Sequence, residues 1–366
     1  PRPLPAARTA CLRRFSCSVR PKRVSASPLC RAVKARSWPI SRAARTTARI
    51  LSVSHISTAR PPAGGSALRT ATTSTTPCTS TPMATGTTTT APCIAVAGKT
   101  ASDNVFQITP SASSPDVLSS GNGNVFQVCF TDPNQGVASA QYIAENKLAT
   151  KVAIIYNSSD TYSSGIYQTF ATEAKAKGLD VVAAEAFTAD NKTDFSVQLK
   201  KAQSSGADLV FLPIYYQEAS IILKQADTMG YKPKFFGVDG MDGILTVENF
   251  DTKLAEDVML LTPFAADATD DLTKKFVKEY KDKYDEVPNQ FAADAYDAIY
   301  AIKAAMEEAK VTPDMSVTDM GDALKSAMTK VTIDGLTGDE MSWSESGEVN
   351  KDPKAVVIEN GEYVGM

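Results

Sequence analysis

Residues 1–90 contain no aspartate and no glutamate; the first acidic residue is Asp103. The same stretch lacks asparagine, glutamine and tyrosine, and holds only Lys22, Lys34 and His55 among residues with an A at the middle codon base. His55 is the sole histidine of the 366 residues. Ser-His-Asp, Cys-His and histidine-metal chemistries are therefore excluded from everything that follows it. No apolar run approaches the ~18 residues of a membrane-spanning helix. No GxGxxG or P-loop follows a candidate strand, which argues against nucleotide binding. Four of the six cysteines, Cys11, Cys17, Cys30 and Cys78, lie in the acid-free stretch. Cys93 and Cys129 are too few and too far apart for a metal motif and read as small buried residues.

Two incompatible compositions remain. Residues 1–90 carry 13 Arg and 2 Lys, a net +15, whereas residues 91–366 carry 23 Lys, no Arg and all 41 acidic residues, a net −18. The formal total of −3 describes neither part. Ala, Thr, Pro, Ser, Arg, Cys, Gly and Trp, all with C or G at the middle base, supply 73 of the first 90 residues. A gene rich in G or C at third positions, read one base late, produces this alphabet. Residues 1 to about 85 are accordingly read, as a hypothesis, as out-of-frame or mis-assigned translation with no regular structure. A transit peptide shares the Arg- and Ser-rich, acid-poor character, but proline interruptions and the lack of a sustained amphipathic period weigh against it. Dispersed Arg without aromatic interleaving is weak support for nucleic-acid binding, and a remainder at −18 repels phosphate. Sequencing the locus tests the hypothesis: an upstream open frame encoding an ordinary acidic α/β sequence is expected, and its absence refutes the shift.

From about residue 86 the pattern is coherent. Lys151 to Tyr156 is a short β-branched run, followed by a helix-favouring stretch from Ser163 to Lys177 that ends at Gly178. The unit repeats as Val181 to Phe187 with a helix near Asp194 to Gln203, and as Ala207 to Leu212 with Glu218 to Met229, before a strand at Phe235 to Val238. Such alternation predicts βαβ crossovers and a parallel sheet, and the scarcity of polar alternation predicts a sheet covered on both faces. A strand at Val258 to Thr262 precedes helices over Asp270 to Tyr284, Gln290 to Ala309 and Thr318 to Thr329. Strands return at Met341 to Trp343 and in a hairpin over Ala355 to Val364 about Asn360-Gly361.

Hydroxyl residues and aromatics gather at the strand-to-helix junctions, where open α/β sheets collect ligands. Gly86 to Pro92 reads as a turn opening a helix, able to hold an anion such as a carboxylate on free N–H groups and hydroxyls. Ile108 to Pro115 reads as a strand entering a second such turn. Helix capping by Thr87 and Ser113, and simple packing by isolated aromatics, are the structural alternatives at these positions.

The ordered segments ITPSASSP, VFQVCFTDPNQG, AIIYNSSDTYSSG, GADLVFLPIYYQEASIILKQA, FFGVDG, FAADAYDAIYAI and GLTGDEMSWSESGE resemble those of type I periplasmic-binding-fold proteins over about 280 residues. The resemblance is strongest to the branched-chain amino-acid binding subunits of ABC importers. It implies an α/β fold of two lobes with parallel sheets flanked by helices, joined by three crossovers and closing on the ligand by hinge motion. The crossovers are expected near residues 146, 263 and 333. Lobe one would comprise 86–146 and 263–332, and lobe two 147–262 and 333–366. Lobe one is expected to be incomplete, because residues 1–85 supply no counterpart of the family's first strand-helix-strand-helix portion, leaving the chain poorly folded or weakly binding.

Residue by residue, the resemblance implies that Thr87 meets the ligand carboxylate. The backbone of Ser111, Ala112 and Ser113 would hold carboxylate and ammonium. Tyr162 and Tyr215 would form aromatic walls. Asp239, where many relatives have Glu, would pair with the α-ammonium, and Phe291 would line the side-chain pocket. The implied protein is not an enzyme. It takes no cofactor or metal, binds an amino acid of the Leu/Ile/Val class, meets permease subunits rather than nucleic acid, and works in the periplasm or outside the cell, with lipid anchoring left open. A ligand-sensing regulatory or receptor module on the same fold is the alternative. Such a regulator would add a helix-turn-helix or a membrane span, neither of which is visible.

Overall fold

The computed structural model describes the backbone of residues 83–85 and residues 89–366. The segment 1–82 and Thr87 lie outside the described residues. Three β-sheets form among the described residues, and the two larger ones organise them. β1 (Met83–Thr85), β2 (Phe106–Thr109) and β3 (Val125–Gln127) form a parallel three-stranded sheet. Helices α1 (Thr90–Ser102) and α2 (Pro115–Gly121) cover one side of it, packing Cys93, Ala97, Val117 and Leu118 with Val125. On the other side Phe106, Ile108, Phe126 and Val128 pack against α8 (Gln290–Glu308) and α9 (Val317–Met328) through Ala298, Ile302, Leu324 and Met328. Before these helices comes α7 (Asp271–Tyr284), capped by Asp270, whose carboxylate accepts from Thr273 N at 2.7 Å.

The second sheet has seven strands. In sequence they are β4 (Lys151–Asn157), β5 (Asp180–Phe187), β6 (Leu209–Leu212), β7 (Lys234–Gly237), β8 (Met259–Thr262), β11 (Lys354–Glu359) and β12 (Glu362–Gly365). Their spatial order is β12-β11-β8-β7-β6-β4-β5. Five are mutually parallel, and β11 and β12 are added antiparallel. Crossover helices α3 (Asp132–Glu145), α4 (Thr161–Ala176), α5 (Ser196–Ser204) and α6 (Tyr216–Thr228) cover its faces. Strand alternation explains the near-continuous apolar runs: Val152, Ile154, Leu209 and Phe211 enter one core, while Ala153, Ile155, Val210 and Leu212 enter the other. The final hairpin turns at Asn360 and Gly361, both with φ above zero (53° and 78°), as an Asn-Gly turn requires.

Two of the expected crossovers fall elsewhere. α3 belongs to the seven-stranded side, because Ala140 and Ile143 share a core with Val152 and Ile154. Its Gly136 permits the close approach of α4: a Cβ there would lie 2.6 Å from Ile166 O and 2.0 Å from Thr169 Oγ1. The first passage between sheets is therefore near Phe130–Thr131 rather than 146. β9 (Thr332–Ile333) and β10 (Met341–Ser342) pair antiparallel, and Met341, Trp343 and Val349 pack with Phe106 and Phe126. Trp343 Nε1 donates to Gln127 O at 2.7 Å. These contacts hold 332–349 on the three-stranded side, so the last passage comes between 350 and 354 rather than at 333.

Candidate functional site

The parallel order places a switch between β4 and β6, since β5 lies on one side of β4 and the later strands on the other. Crevices at the carboxyl ends of such strands are where open α/β sheets bind ligands. Tyr162, in the first turn of α4, follows β4, and Tyr215 stands at the start of α6, three residues after β6. Their rings stack with centroids 4.8 Å apart and planes 16° from parallel. Asp239 begins a one-turn 3-10 helix after β7. The Tyr162 hydroxyl donates to Asp239 Oδ1 at 2.5 Å and accepts from Gly240 N at 2.9 Å. Gly240 is required by this approach, because a Cβ there would sit 2.6 Å from the Tyr162 hydroxyl oxygen and 3.1 Å from Ile214 O.

Burial dominates the electrostatics. It raises the Asp239 carboxyl to about 7, with the Tyr162 hydrogen bond pulling the other way and Asp294 adding to the rise. Burial, then the Asp239 charge, pushes the Tyr162 phenol well up. The pair is thus a carboxyl poised near neutrality held by a neutral phenol donor. A cationic group arriving at Asp239 would supply the charge that this environment lacks.

On the facing side, the turn after β2 is ordered by its own side chains. Thr109 Oγ1 accepts from Ala112 N at 3.0 Å and from Ser111 N at 3.4 Å. Gln127 Nε2 donates to Ala112 O at 2.7 Å and Ser114 O at 3.1 Å. Ala112 and Ser113 are fully buried, and Ser113 O accepts from Asp132 N at 3.1 Å. Three of the turn's carbonyls, those of Ala112, Ser113 and Ser114, are thereby engaged inside the protein. Phe291 is half-buried in the first turn of α8, one residue after Gln290. The structure thus brings Tyr162, Tyr215 and Asp239 into one cluster and puts Phe291 on the helix end that touches it. Ser111, Ala112 and Ser113 form a turn reached through Asp132, and Thr87 lies outside the described residues.

Two further residues, Gln135 and Gln290, hold the cluster together. Gln135 Oε1 accepts from Asp239 N at 3.3 Å. Gln290 Nε2 donates to Asp239 O at 2.6 Å, while Gln290 N donates to Asp242 Oδ2 at 2.8 Å. The amino end of α8 is so tied to the loop after β7, across the two sheets. Burial raises the Asp242 carboxyl to about 6, opposed first by that Gln290 N–H. Deeper lies Lys351, whose Nζ sits 2.9 Å from Asp294 Oδ1 and 2.5 Å from Thr337 Oγ1, with both ionic side chains buried. Asp297 accepts from Leu336 N, Thr337 N and Thr337 Oγ1 at 2.9, 2.9 and 2.6 Å. Among the described residues no group of three His, Cys, Asp or Glu side chains is placed to hold a metal ion.

Comparison with known proteins adds an independent line. The periplasmic binding protein family model matches residues 81–362. The Leu/Ile/Val-binding protein BraC3 of Rhizobium johnstonii is 28% identical over 257 residues, covering 69% of this chain and 68% of that protein. A leucine-binding protein of Thermotoga maritima superimposes with a TM-score of 0.68 at 25% identity, over 77% of this chain and 78% of that one. The branched-chain amino-acid transporter substrate-binding protein of Streptococcus pneumoniae, solved with isoleucine, gives 0.68 at 26% identity, over 78% and 80%.

Proposed function

The chain belongs to the periplasmic binding protein family, and from that premise we propose that it captures a free amino acid of the Leu/Ile/Val class between its two lobes and delivers it to the permease of an ABC importer, on the extracytoplasmic side of the membrane. The observation that carries the reading is the buried Asp239 carboxyl, oriented by the Tyr162 hydroxyl, with its backbone N–H held by Gln135, at the carboxyl ends of the central strands. An α-ammonium placed there replaces lost hydration with a charge-assisted hydrogen bond. The Ser111–Ser113 turn offers backbone groups to the ligand; Thr87, outside the described residues, is assigned the ligand carboxylate by the sequence resemblance alone. Tyr215 and Phe291 flank the space for an aliphatic side chain. The relatives named for leucine, isoleucine and valine support the ligand class. The family is one of solute-binding proteins rather than enzymes.

Asp239 makes the reading testable through pH. With no ligand, the native state keeps this proton up to about 7, whereas an unfolded aspartate loses it near 3.8. Its contribution to stability is therefore present below 3.8 and lost as pH rises towards 7. Binding runs the other way, because an ammonium pairs only with the ionised carboxyl and expels the proton. Leucine affinity, measured by isothermal titration calorimetry from about pH 5 to about pH 8, is expected to fall by about tenfold per pH unit below the Asp239 pKa and to level off above it. Binding that is unchanged across this range removes Asp239 as the ammonium partner.

A further inference from the structure

The first N–H groups of a helix have no intrahelical partner, and at α8 their acceptors come from two places. Asn289, the residue before the helix, caps it locally, its side chain accepting from Ala292 N at 3.2 Å. Gln290 N instead donates to Asp242 Oδ2 at 2.8 Å, a carboxyl 48 positions earlier in the chain. Asp242 closes the one-turn 3-10 helix that Asp239 opens after β7, on the seven-stranded side, whereas α8 packs on the three-stranded sheet. The Gln290 side chain completes the join. Its Nε2 donates to Asp239 O at 2.6 Å, and its Oε1 accepts from the Thr262 hydroxyl at 3.4 Å, at the end of β8. Beside Asp242, the Tyr363 hydroxyl of β12 accepts from Gly243 N at 2.9 Å.

Capping accounts for the Gln290 N–H and leaves the choice of acceptor unexplained. A neutral hydroxyl would satisfy one N–H at little cost, whereas Asp242 is 4% exposed and its carboxylate has to be desolvated. Burial raises this carboxyl to about 6; the Gln290 N–H, then the Tyr363 phenol and the Gly243 N–H, oppose the rise, and Asp294 on α8 adds to it. In return the charge faces the positive end of α8 and makes a charge-assisted bond between the two sides. We propose that Asp242 is a positioning residue for amino-acid capture, an inference that rests on the function proposed above: it clamps the amino end of α8 to the Asp239 loop. Both sides then meet the ligand as one rigid seat. Phe291, next to Gln290, is fixed by the same clamp, and with it the wall given to the aliphatic side chain.

Amide hydrogen exchange of the full chain, with no ligand present, separates a clamp from a simple cap. In Asp242→Ala exchange is expected to accelerate by about tenfold or more at Gln290 N and also at Asp239 N and Gly240 N, whose own acceptors are Gln135 and Tyr162. Acceleration at Gln290 alone, or at none of the three, overturns the proposal. With leucine, stopped-flow kinetics are expected to show dissociation about tenfold faster in Asp242→Ala, with association nearly unchanged. Asp242→Asn keeps an acceptor without the charge and is expected to recover part of the loss, to about threefold. Equal dissociation rates in wild type and Asp242→Ala overturn the clamp. Wild-type protein that binds no leucine defeats the proposed function instead, and the exchange result then decides the clamp. Should Asp242→Ala fail to fold, Gln290→Ala, which removes the hold on Asp239 O, takes its place: unchanged exchange at Asp239 and Gly240 refutes the clamp.

Discussion

Replacing Asp239 by asparagine is expected to weaken leucine binding by about 2–5 kcal/mol, roughly 30-fold to several thousand-fold. The substitution keeps size and shape, and an amide oxygen can still accept from the Tyr162 hydroxyl, which donates to Asp239 at 2.5 Å. What disappears is the charge. Asp239 is nearly fully buried, so an ammonium brought to it leaves its water behind and depends on that carboxylate for compensation. The measurement belongs above the Asp239 pKa of about 7, where the wild-type carboxyl is ionised before the ligand arrives. Calorimetry of the two proteins side by side, with circular dichroism to show that both are folded, gives the number. A loss smaller than about threefold would mean that the ammonium is held elsewhere and would displace Asp239 from the centre of the site.

Lys351→Met is expected to cost about 3–5 kcal/mol of folding stability without touching the ligand cluster directly. Lys351 and Asp294 are both buried, 2.9 Å apart, with Thr337 as a further partner of the ammonium. Removing one member leaves Asp294 as an uncompensated charge beside Asp297, and that penalty exceeds what the intact pair contributes. Burial already holds the Asp294 carboxyl at about 6, with Lys351 as the first opposing influence. Without the lysine it rises further, and the variant relieves its penalty by keeping the proton. The deficit should therefore be larger at about pH 8 than at about pH 5, as urea unfolding at both values can show. A companion Lys351→Met, Asp294→Leu double variant should recover much of the loss, since it buries neither charge. A single variant as stable as wild type at both pH values would mean that the pair is not desolvated.

The elements were legible wherever neighbouring residues dictate them. Apolar β-branched runs such as Lys151 to Tyr156 and Ala207 to Leu212 became β4 and β6, because a strand buried on both faces leaves no position for a polar side chain. Asn360-Gly361 became the last hairpin turn because both residues tolerate φ above zero. Helix starts expected at Asp270, Gln290 and Thr318 fall within two residues of side chains that cap, Asp270, Asn289 and Ser316, each accepting from the N–H three residues on. The family's motifs pointed to Tyr162, Tyr215 and Asp239, which the fold gathers at the ends of β4, β6 and β7.

What the chain's local patterns could not decide was which sheet a segment serves. A helix period says that one face is buried, and nothing in it says against what. α3 reads equally well on either side of the first passage; the glycine contact of Gly136 with α4 assigns it to the seven-stranded side. Residues 341–349 read as generic strand and turn, and the Trp343 bond to Gln127, 216 positions away, keeps them on the three-stranded side. Gln290 and Lys351 lie outside the quoted motifs, and Gln135 stands in one without its partner being marked, yet the partners Asp242, Asp294 and Asp239 are 48, 57 and 104 positions distant. Composition determined that the chain after residue 90 is acidic and histidine-free, and the alternation of apolar runs with helical periods determined that it is an α/β protein with strands buried on both faces. The site itself was decided only when long-range hydrogen bonds and desolvation, which depend on three-dimensional proximity rather than on sequence spacing, set which carboxyls are buried and which donors they meet.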